Sequence, residues 1–500
     1  MGRMIEPFAP YRSLLRRTAE IARLNGAAEL LSWDQETYMP PKAIHYRAEQ
    51  IAHLAGLTHR LFTSRAMVAW IAACEDHGFP ADSVQASNVR EWRRLYDRMT
   101  RVPARLVEAM QRTRAHAREA WVEARRRSQY SLFAPHLEKI LDLTRQMADC
   151  WGYARTPYDA LLDEYEPGAS TAALRQLFDQ LVPTLTRIVA PAAARSAKTP
   201  RSLIHGHYPI AAQQAFNREV AEAIGFDFEA GRVDTTAHPF CCSPGPGDCR
   251  LTTRYDERDF FVSLYGVLHE AGHGLYDQGL PVEHHGTPCG SPASLGIHES
   301  QSRLWENHVG RAETFWRHWY PRACHYFPDL ARLTPEQIAG AANHVTPSFI
   351  RVEADQVTYD LHVALRFQIE LDLVESRLKV ADVPAAWNER FEKLIGLRVP
   401  DDARGCLQDV HWSHGSFGYF PTYTIGNLNA AQLMDSAVAE VPGLDAALSH
   451  GDYAPLLGWL RERVHRHGHR YNPQELMRRV TGHPTCPEHH LAHLETRFLG

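Results

Sequence analysis

The stretch Leu268-His269-Glu270-Ala271-Gly272-His273-Gly274-Leu275 decides how this chain reads. Its two histidines are four residues apart, so on a helix they project from one side and their imidazoles can converge on one metal ion. The glutamate between them sits beside that ion, where it can take a proton from water. With 29 histidines in 500 residues, such a string arises by chance in roughly one sequence in ten. Its weight therefore depends on the residues around it.

A catalytic zinc needs a third protein ligand and an open position for water. After His273 the chain runs Gly274-Leu275-Tyr276-Asp277-Gln278-Gly279, without the extra histidine of HExxHxxGxxH. The alternative is a glutamate from a following helix. Glu299 lies 26 residues after His273, room for the end of one helix, a loop and the start of another. Glu306 is one competitor; Glu283 is another, but sits in the loop too near the first helix. His298 and Glu299 are helix neighbours pointing about 100° apart, so they are not expected to bind one ion together. Asp277, one turn after His273, is placed to hydrogen-bond a ligand imidazole.

Composition sets the class. An apolar fraction of 44% and a charged fraction of 23% fit a soluble globular protein. A net charge of -5 with mixed signs speaks against nucleic acid as the main partner, and Arg125-Arg126-Arg127 reads as a solvated face. Met1 to Pro7 lacks the apolar stretch of a signal peptide. The apolar run Phe260 to Leu268, interrupted by Ser263 and Gly266, is too short to span a bilayer. Nine cysteines form no CxxC pair, and the cluster Cys241, Cys242 and Cys249 fits no standard zinc knuckle. The expectation is a cytoplasmic protein with reduced thiols and no membrane segment.

Most of the chain shows helical periodicity, as at Leu14, Leu15, Ile21, Leu24, Ala28 and Leu31, before Trp33 to Pro41 breaks it. Further helices are expected at about 43–76, 83–129, 131–151, 171–195, 209–224, 258–278, 295–320, 347–379 and 383–396. Pro103 and Pro135 mark helix starts or kinks, and Gly279-Leu280-Pro281 is a stop. The exception is 227–256, where two β-prone segments flank a turn at Ser243 to Gly247 and read as a hairpin. No repeat or linker divides the chain, so residues 1–500 read as one mostly helical domain, with two lobes around a cleft as one arrangement. The clusters His465, His467, His469 and His489, His490, His493 read as solvated helix faces.

Six further strings carry a resemblance: Ser32 to Pro41, His238-Pro239-Phe240, Asp248-Cys249-Arg250-Leu251-Thr252, His298-Glu299-Ser300-Gln301, Ile350-Arg351-Val352-Glu353-Ala354-Asp355, and Gly405 to Trp412. In this order and at these separations the chain resembles the carboxypeptidase Taq family of metallocarboxypeptidases. The resemblance implies a mainly α, large helical zincin fold with a deep cleft and a small antiparallel β-sheet beside the metal helix. It implies a homodimer with one divalent metal per subunit, zinc or cobalt in its place. It also implies release of single amino acids from peptide C-termini, with broad side-chain tolerance and poor cleavage of C-terminal proline.

The roles follow from chemistry. A metal held by His269, His273 and Glu299 activates water and polarises the scissile carbonyl, with Glu270 as general base. The oxyanion needs further donors. In the loop 411–423, His414, Tyr419 and Tyr423 are spaced similarly to a histidine and two tyrosines of thimet-oligopeptidase-like enzymes. That weaker resemblance makes Tyr423 the oxyanion donor, with His411, His414 and Tyr419 as substrate contacts. His238, in a family string, counts with them, and the hairpin offers a strand edge to the substrate backbone. A terminal carboxylate suits the planar fork of arginine, so Arg351 and Arg250 are candidates, each with a buried pair (to Asp355 or Asp248) as its alternative. The rival readings are an oligopeptidase that cuts internal bonds and a non-catalytic helical metal-binding protein.

Overall fold

The computed structural model describes residues 8–500; the stretch Met1 to Pro7, read above as lacking a signal sequence, lies outside the described residues. The chain divides into two compact units, Met1–Thr100 with Ile204–Glu336 and Leu433–Gly482, and Arg101–Leu203 with Gln337–Gln432 and His483–Gly500. Both are mainly helical. Among the described residues no helix is long and apolar enough to cross a membrane.

The first unit starts with a helix over Ala9–Thr37, which runs through Trp33 instead of breaking there. Trp33 is buried and stacks under the Arg250 guanidinium at 4.3 Å, so tertiary contacts carry the helix past its apolar stripe. The expected helix at 43–76 is interrupted, because Ser64 turns the chain and caps a new helix at Arg65–His77 by accepting from the Met67 N–H. Pro103 starts the helix Ala104–Arg127, and Pro135 lies in the first turn of Ala134–Trp151.

Three short strands follow, β1 (Gly231–Thr235), β2 (Cys241–Gly245) and β3 (Asp248–Thr253), in the order β1-β3-β2. The hairpin is real, but its first strand is Cys241–Gly245, turning at Gly247 with φ +78°, a value glycine tolerates. The sheet is mixed, which corrects the antiparallel expectation: β1 pairs in parallel with β3, Val233 opposite Leu251. A two-strand hairpin leaves the other edge of β3 open, and the segment before it fills that edge through backbone bonds such as Cys249 N to Ala230 O and Thr236 N to Thr253 O. Leu251 and Cys249 pack this sheet on the helix Phe261–Gly279, where a Cβ on Gly274 would meet Cys249 Sγ and Leu251 Cδ2 at 3.0 Å.

That helix ends where the Gly-Leu-Pro signal placed its stop. The expected helix at 295–320 is three pieces: Leu295–Arg303, a π-helical stretch Leu304–Gly310, and Glu313–Tyr326. π-helical turns recur at functional sites, and this one carries Glu306.

In the second unit the helix Tyr359–Val374 replaces the longer one expected at 347–379; residues 347–358 are loop and a 3-10 turn. The Asp355 carboxylate fixes the helix start by accepting from the Val357, Thr358 and Thr346 N–H groups. This helix is buried nearly all round, so no apolar stripe marks its limits. Its buried polar residues are all partnered or stacked: Asp360 with Thr424, Asn427 and His490, and Glu370 with Tyr158, Trp412 and Gly418. His362 stacks edge-on to Phe391. His465, His469 and His490, read as solvated, are buried instead: His465 bonds Gln301 at 3.0 Å and His490 bonds Asp360 at 2.9 Å.

Candidate active site

The helix Phe261–Gly279 delivers His269 and His273 one turn apart, with ring centroids 4.9 Å from each other. Gly272 sets what can approach them. A Cβ there would come within 2.6 Å of the Gln301 carbonyl oxygen and the Ser302 Cα, so only glycine lets the two helices pack this closely. Ser294 caps the second helix by accepting from the Ile297 N–H, and Glu299 sits one turn on.

Glu299 Oε2 then lies 3.4 Å from His273 Nε2 and 3.7 Å from His269 Nε2. Donors about 2.0 to 2.1 Å from a tetrahedral ion stand roughly 3.4 Å apart, so the three atoms have the spacing of a metal cage. Arg303 Nε holds the other oxygen, Oε1, at 2.7 Å and fixes the carboxylate's orientation. Burial works against charge on Glu299, but Arg303 and the two histidines outweigh it and keep it well below the usual carboxylate range. An anionic oxygen and two imidazole nitrogens suit a divalent zinc-like ion.

The remaining ring nitrogens are held by partners that set the tautomers. His269 Nδ1 is 3.0 Å from Glu306 Oε2; a carboxylate only accepts here, so Nδ1 carries the proton and Nε2 keeps its lone pair. Glu306, weighed above as a rival ligand, is thus the partner of His269; Arg311 holds its second oxygen at 2.8 Å. His273 Nδ1 lies 2.5 Å from His298 Nδ1, and His298 Nε2 lies 3.0 Å from Asp277 Oδ1. His298 donates through Nε2 to Asp277, accepts at Nδ1 from His273, and leaves His273 Nε2 unprotonated toward Glu299. Asp277 therefore reaches His273 through an intervening imidazole, not directly as expected, because His298 stacks on His273 at 4.5 Å and fills that place.

Glu270 is 6% exposed. Burial, with Glu299 and Glu306 nearby and His269 and His298 opposing, pushes its carboxyl up to about 7, the range for a group that must take and return protons near neutral pH. Burial and His298 lower His273 to about 4, which keeps the ring neutral and able to bind a metal. For His269 burial favours the neutral ring, yet Glu299 and Glu306 raise it.

Arg250, also in the first unit, is bidentate with Asp248, Nε to Oδ1 at 2.7 Å and Nη2 to Oδ2 at 2.9 Å. His238 is exposed between β1 and β2. In the second unit Arg351 is buried and gives Nε and Nη2 to Asp409 Oδ1, at 3.2 and 2.9 Å, and Nη1 to the Tyr359 hydroxyl. Its pair is therefore Asp409, not Asp355. Both forks are committed, so neither arginine stands ready for bidentate capture of a substrate carboxylate. Arg366 was missed by sequence reasoning; its Nε holds Asp409 Oδ2 at 2.7 Å. The residue's position inside an apolar helix was the only signal. Two guanidinium groups against one carboxylate leave a net positive charge.

Tyr423, Tyr419 and His411 gather beside these arginines. Arg351 lies over the Tyr423 ring at 4.6 Å, Tyr419 meets Tyr423 edge-on at 5.5 Å, and His411 packs on Tyr419 at 5.2 Å. Burial and the two arginines hold His411 down to about 4 against the pull of Asp409. Burial, then Arg118 and Arg114, also lower His414.

A helix-borne HExxH joined by a glutamate from the next helix, beside a buried carboxyl poised near neutrality, defines a metal-dependent peptide hydrolase of mainly helical fold. Residues 13–498 match the family described as Carboxypeptidase Taq (M32) metallopeptidase, and the chain belongs to that family. It is 42% identical to Thermostable carboxypeptidase 1 of Thermus thermophilus over 98% of this chain and 99% of that one. It is 35% identical to Carboxypeptidase 1 of Bacillus subtilis over 97% and 96%. Among solved structures, the M32 carboxypeptidase of Deinococcus radiodurans superposes with a TM-score of 0.94 at 38% identity, covering 98% of this chain and 99% of that one. The carboxypeptidase of Pyrococcus furiosus gives 0.95 at 34% identity over 99% and 100%. The protein is a metal-dependent carboxypeptidase.

Proposed function

We propose that the 500-residue chain works as a single catalytic domain in a cytoplasmic homodimer, removing one amino acid at a time from the C-termini of peptides with broad side-chain tolerance. The observation that carries this reading is the convergence of His269 Nε2, His273 Nε2 and Glu299 Oε2 beside buried Glu270. These three residues would hold one zinc ion, with cobalt as a substitute. When bound, the ion supplies the Lewis acidity that makes water a nucleophile near neutral pH and polarises the carbonyl.

Glu270 takes the proton from the attacking water and passes it to the departing amine nitrogen. Glu306 and the His298–Asp277 pair keep the ring lone pairs pointed at the ion. Tyr423 donates its hydroxyl to the developing oxyanion, and His411, His414, Tyr419 and His238 contact the peptide. Because both forks are already paired, Arg351 attracts the terminal carboxylate through the excess positive charge it shares with Arg366, and Arg250 does so more weakly beside Asp248.

Incubation of a mixed peptide with the protein, followed by mass spectrometry with and without chelator, tests the reading. Stepwise C-terminal loss that stops with chelator is expected; internal cuts would make it an oligopeptidase, and an unchanged peptide would make it a binding protein. For the anchor, Arg351→Ala should lower kcat/KM for a free-acid peptide more than for its C-terminal amide. Equal losses would remove Arg351 from that role.

A further inference from the structure

A second group of donor atoms lies where β2 and β3 meet the last turns of the helix Phe261–Gly279. Cys241 Sγ and Cys249 Sγ are 3.8 Å apart, and Cys241 Sγ is 3.9 Å from Asp277 Oδ2. Each of the three residues offers one donor atom within 4.8 Å of the others, and among the described residues only the His269–His273–Glu299 group does the same. We propose that Cys241, Cys249 and Asp277 form a second metal site, for a thiophilic divalent ion of the zinc class.

The distances suit such an ion. Two thiolates about 2.3 Å from a tetrahedral zinc stand roughly 3.8 Å apart, the separation found here. Two packed thiols would also touch at this range, and the Cys241 thiol donates to Asp277; what marks the set as a cage is that all three donor atoms lie within 4.8 Å of one another. Asp277 is placed to serve: Oδ1 stays on His298 Nε2, while Oδ2 accepts from the Ser243 hydroxyl at 2.6 Å and from the Cys241 thiol at 3.9 Å, the contact that a metal–sulfur and metal–oxygen pair would replace. That hydroxyl, or water, completes four-fold coordination. Sulfur donors favour zinc or cadmium over magnesium or calcium.

The fold presents this set through ordinary pairing. Cys241 stands opposite Leu251, so Cys241, Leu251 and Cys249 share the sheet face that lies on the helix. The glycine at 274 leaves room for the Cys249 sulfur, which a Cβ there would meet at 3.0 Å. Cys249 and Asp277 are each drawn from a different element, and Cys241 is partly exposed, which gives an ion a path inward. Binding forms two metal–sulfur bonds and one metal–oxygen bond, releases two thiol protons to solvent, and oxidises nothing. The site stands independently of the catalytic reading, although Asp277 links it through His298 to His273.

Metal-free protein, kept reduced with a phosphine, is titrated with Co2+ and separately with Cd2+. Two ions per chain are expected, with a near-ultraviolet sulfur-to-metal charge-transfer band. The C241S/C249S variant should bind one ion, show no band, and keep its peptidase activity, while Cys242→Ser should leave the band intact. One ion per chain without a band in the unaltered protein overturns the proposal, as does a band that survives in C241S/C249S. If that variant fails to fold by circular dichroism, Cys241→Ser alone decides: losing roughly half the band supports the site, and an unchanged band refutes it.

Discussion

At the residue scale, His269 and His273 are equivalent in the motif but not in the molecule. One is held by a carboxylate, Glu306, and the other by an imidazole that leans on Asp277. Either partner, when lost, frees its ring to rotate and change tautomer. We expect Glu306→Gln and His298→Ala each to weaken metal binding about 10- to 100-fold, measured by competition with a chromophoric chelator. Unchanged affinity would mean the rings are oriented by packing alone. Glu270→Gln should keep the metal and lower kcat by about a hundred- to ten-thousand-fold. Normal turnover in a variant of confirmed metal content would rule out Glu270 as the base. The motif made the two histidines legible as candidate ligands, whereas the contacts of Glu306 and His298 were not, because each depends on which ring nitrogen it meets in space.

At the element scale, one pair of helices makes the site. Glu299 reaches the histidines because Gly272 lets the helix Leu295–Arg303 touch the helix Phe261–Gly279 backbone to backbone. Gly272→Ala puts a methyl 2.6 Å from the Gln301 carbonyl oxygen, so the helices must separate. We expect a loss of about 1–3 kcal/mol in urea unfolding together with weaker metal binding. A destabilised variant with unaltered metal affinity would show that Glu299 does not depend on this contact. Helices with an amphipathic stripe were legible from periodicity, as were the proline starts and the Gly-Leu-Pro stop. Among the wrongly bounded ones were the fully buried Tyr359–Val374 and the segment broken by a π-helical turn, where burial or local geometry replaces the stripe. The parallel pairing of β1 with β3 was equally hidden, since edge pairing is decided by what lies nearby, not by alternation within a strand.

At the scale of the whole molecule, the buried charges of the second unit tie stability to pH. Burial pushes Glu370 up to about 7, even though Gly418 N–H, the Tyr158 hydroxyl and the Trp412 indole all donate to it. The folded state thus holds a proton that the unfolded chain has released, so this group's stabilisation is complete below about 4.5 and is lost as pH rises to about 7. We expect the unfolding free energy of the native protein, measured by urea titration, to fall between pH 5 and 8 by more than that of Glu370→Gln, a difference on the order of a few kcal/mol. Parallel free energies across that range would show that the three donors keep Glu370 ionised throughout. Asp409 acts in the opposite sense and at lower pH: burial opposes its charge, but Arg351 and Arg366 hold it well below the usual carboxylate range. Its contribution is lost only on acidification.

The order of residues along the chain determined the helical class, the HExxH helix, the interval that admits Glu299, and the family signature strings. Those are local or nearly local properties, written in periodicity, turn residues and short motifs. Only the tertiary structure decided that Arg351 answers Asp409, that His298 stands between Asp277 and His273, that β3 lies in the middle of a mixed sheet, and that two cysteines meet a carboxylate. The reason is physical. A side chain's charge, tautomer and free hydrogen-bonding capacity depend on the groups brought within a few ångströms by packing, and those come from distant parts of the chain.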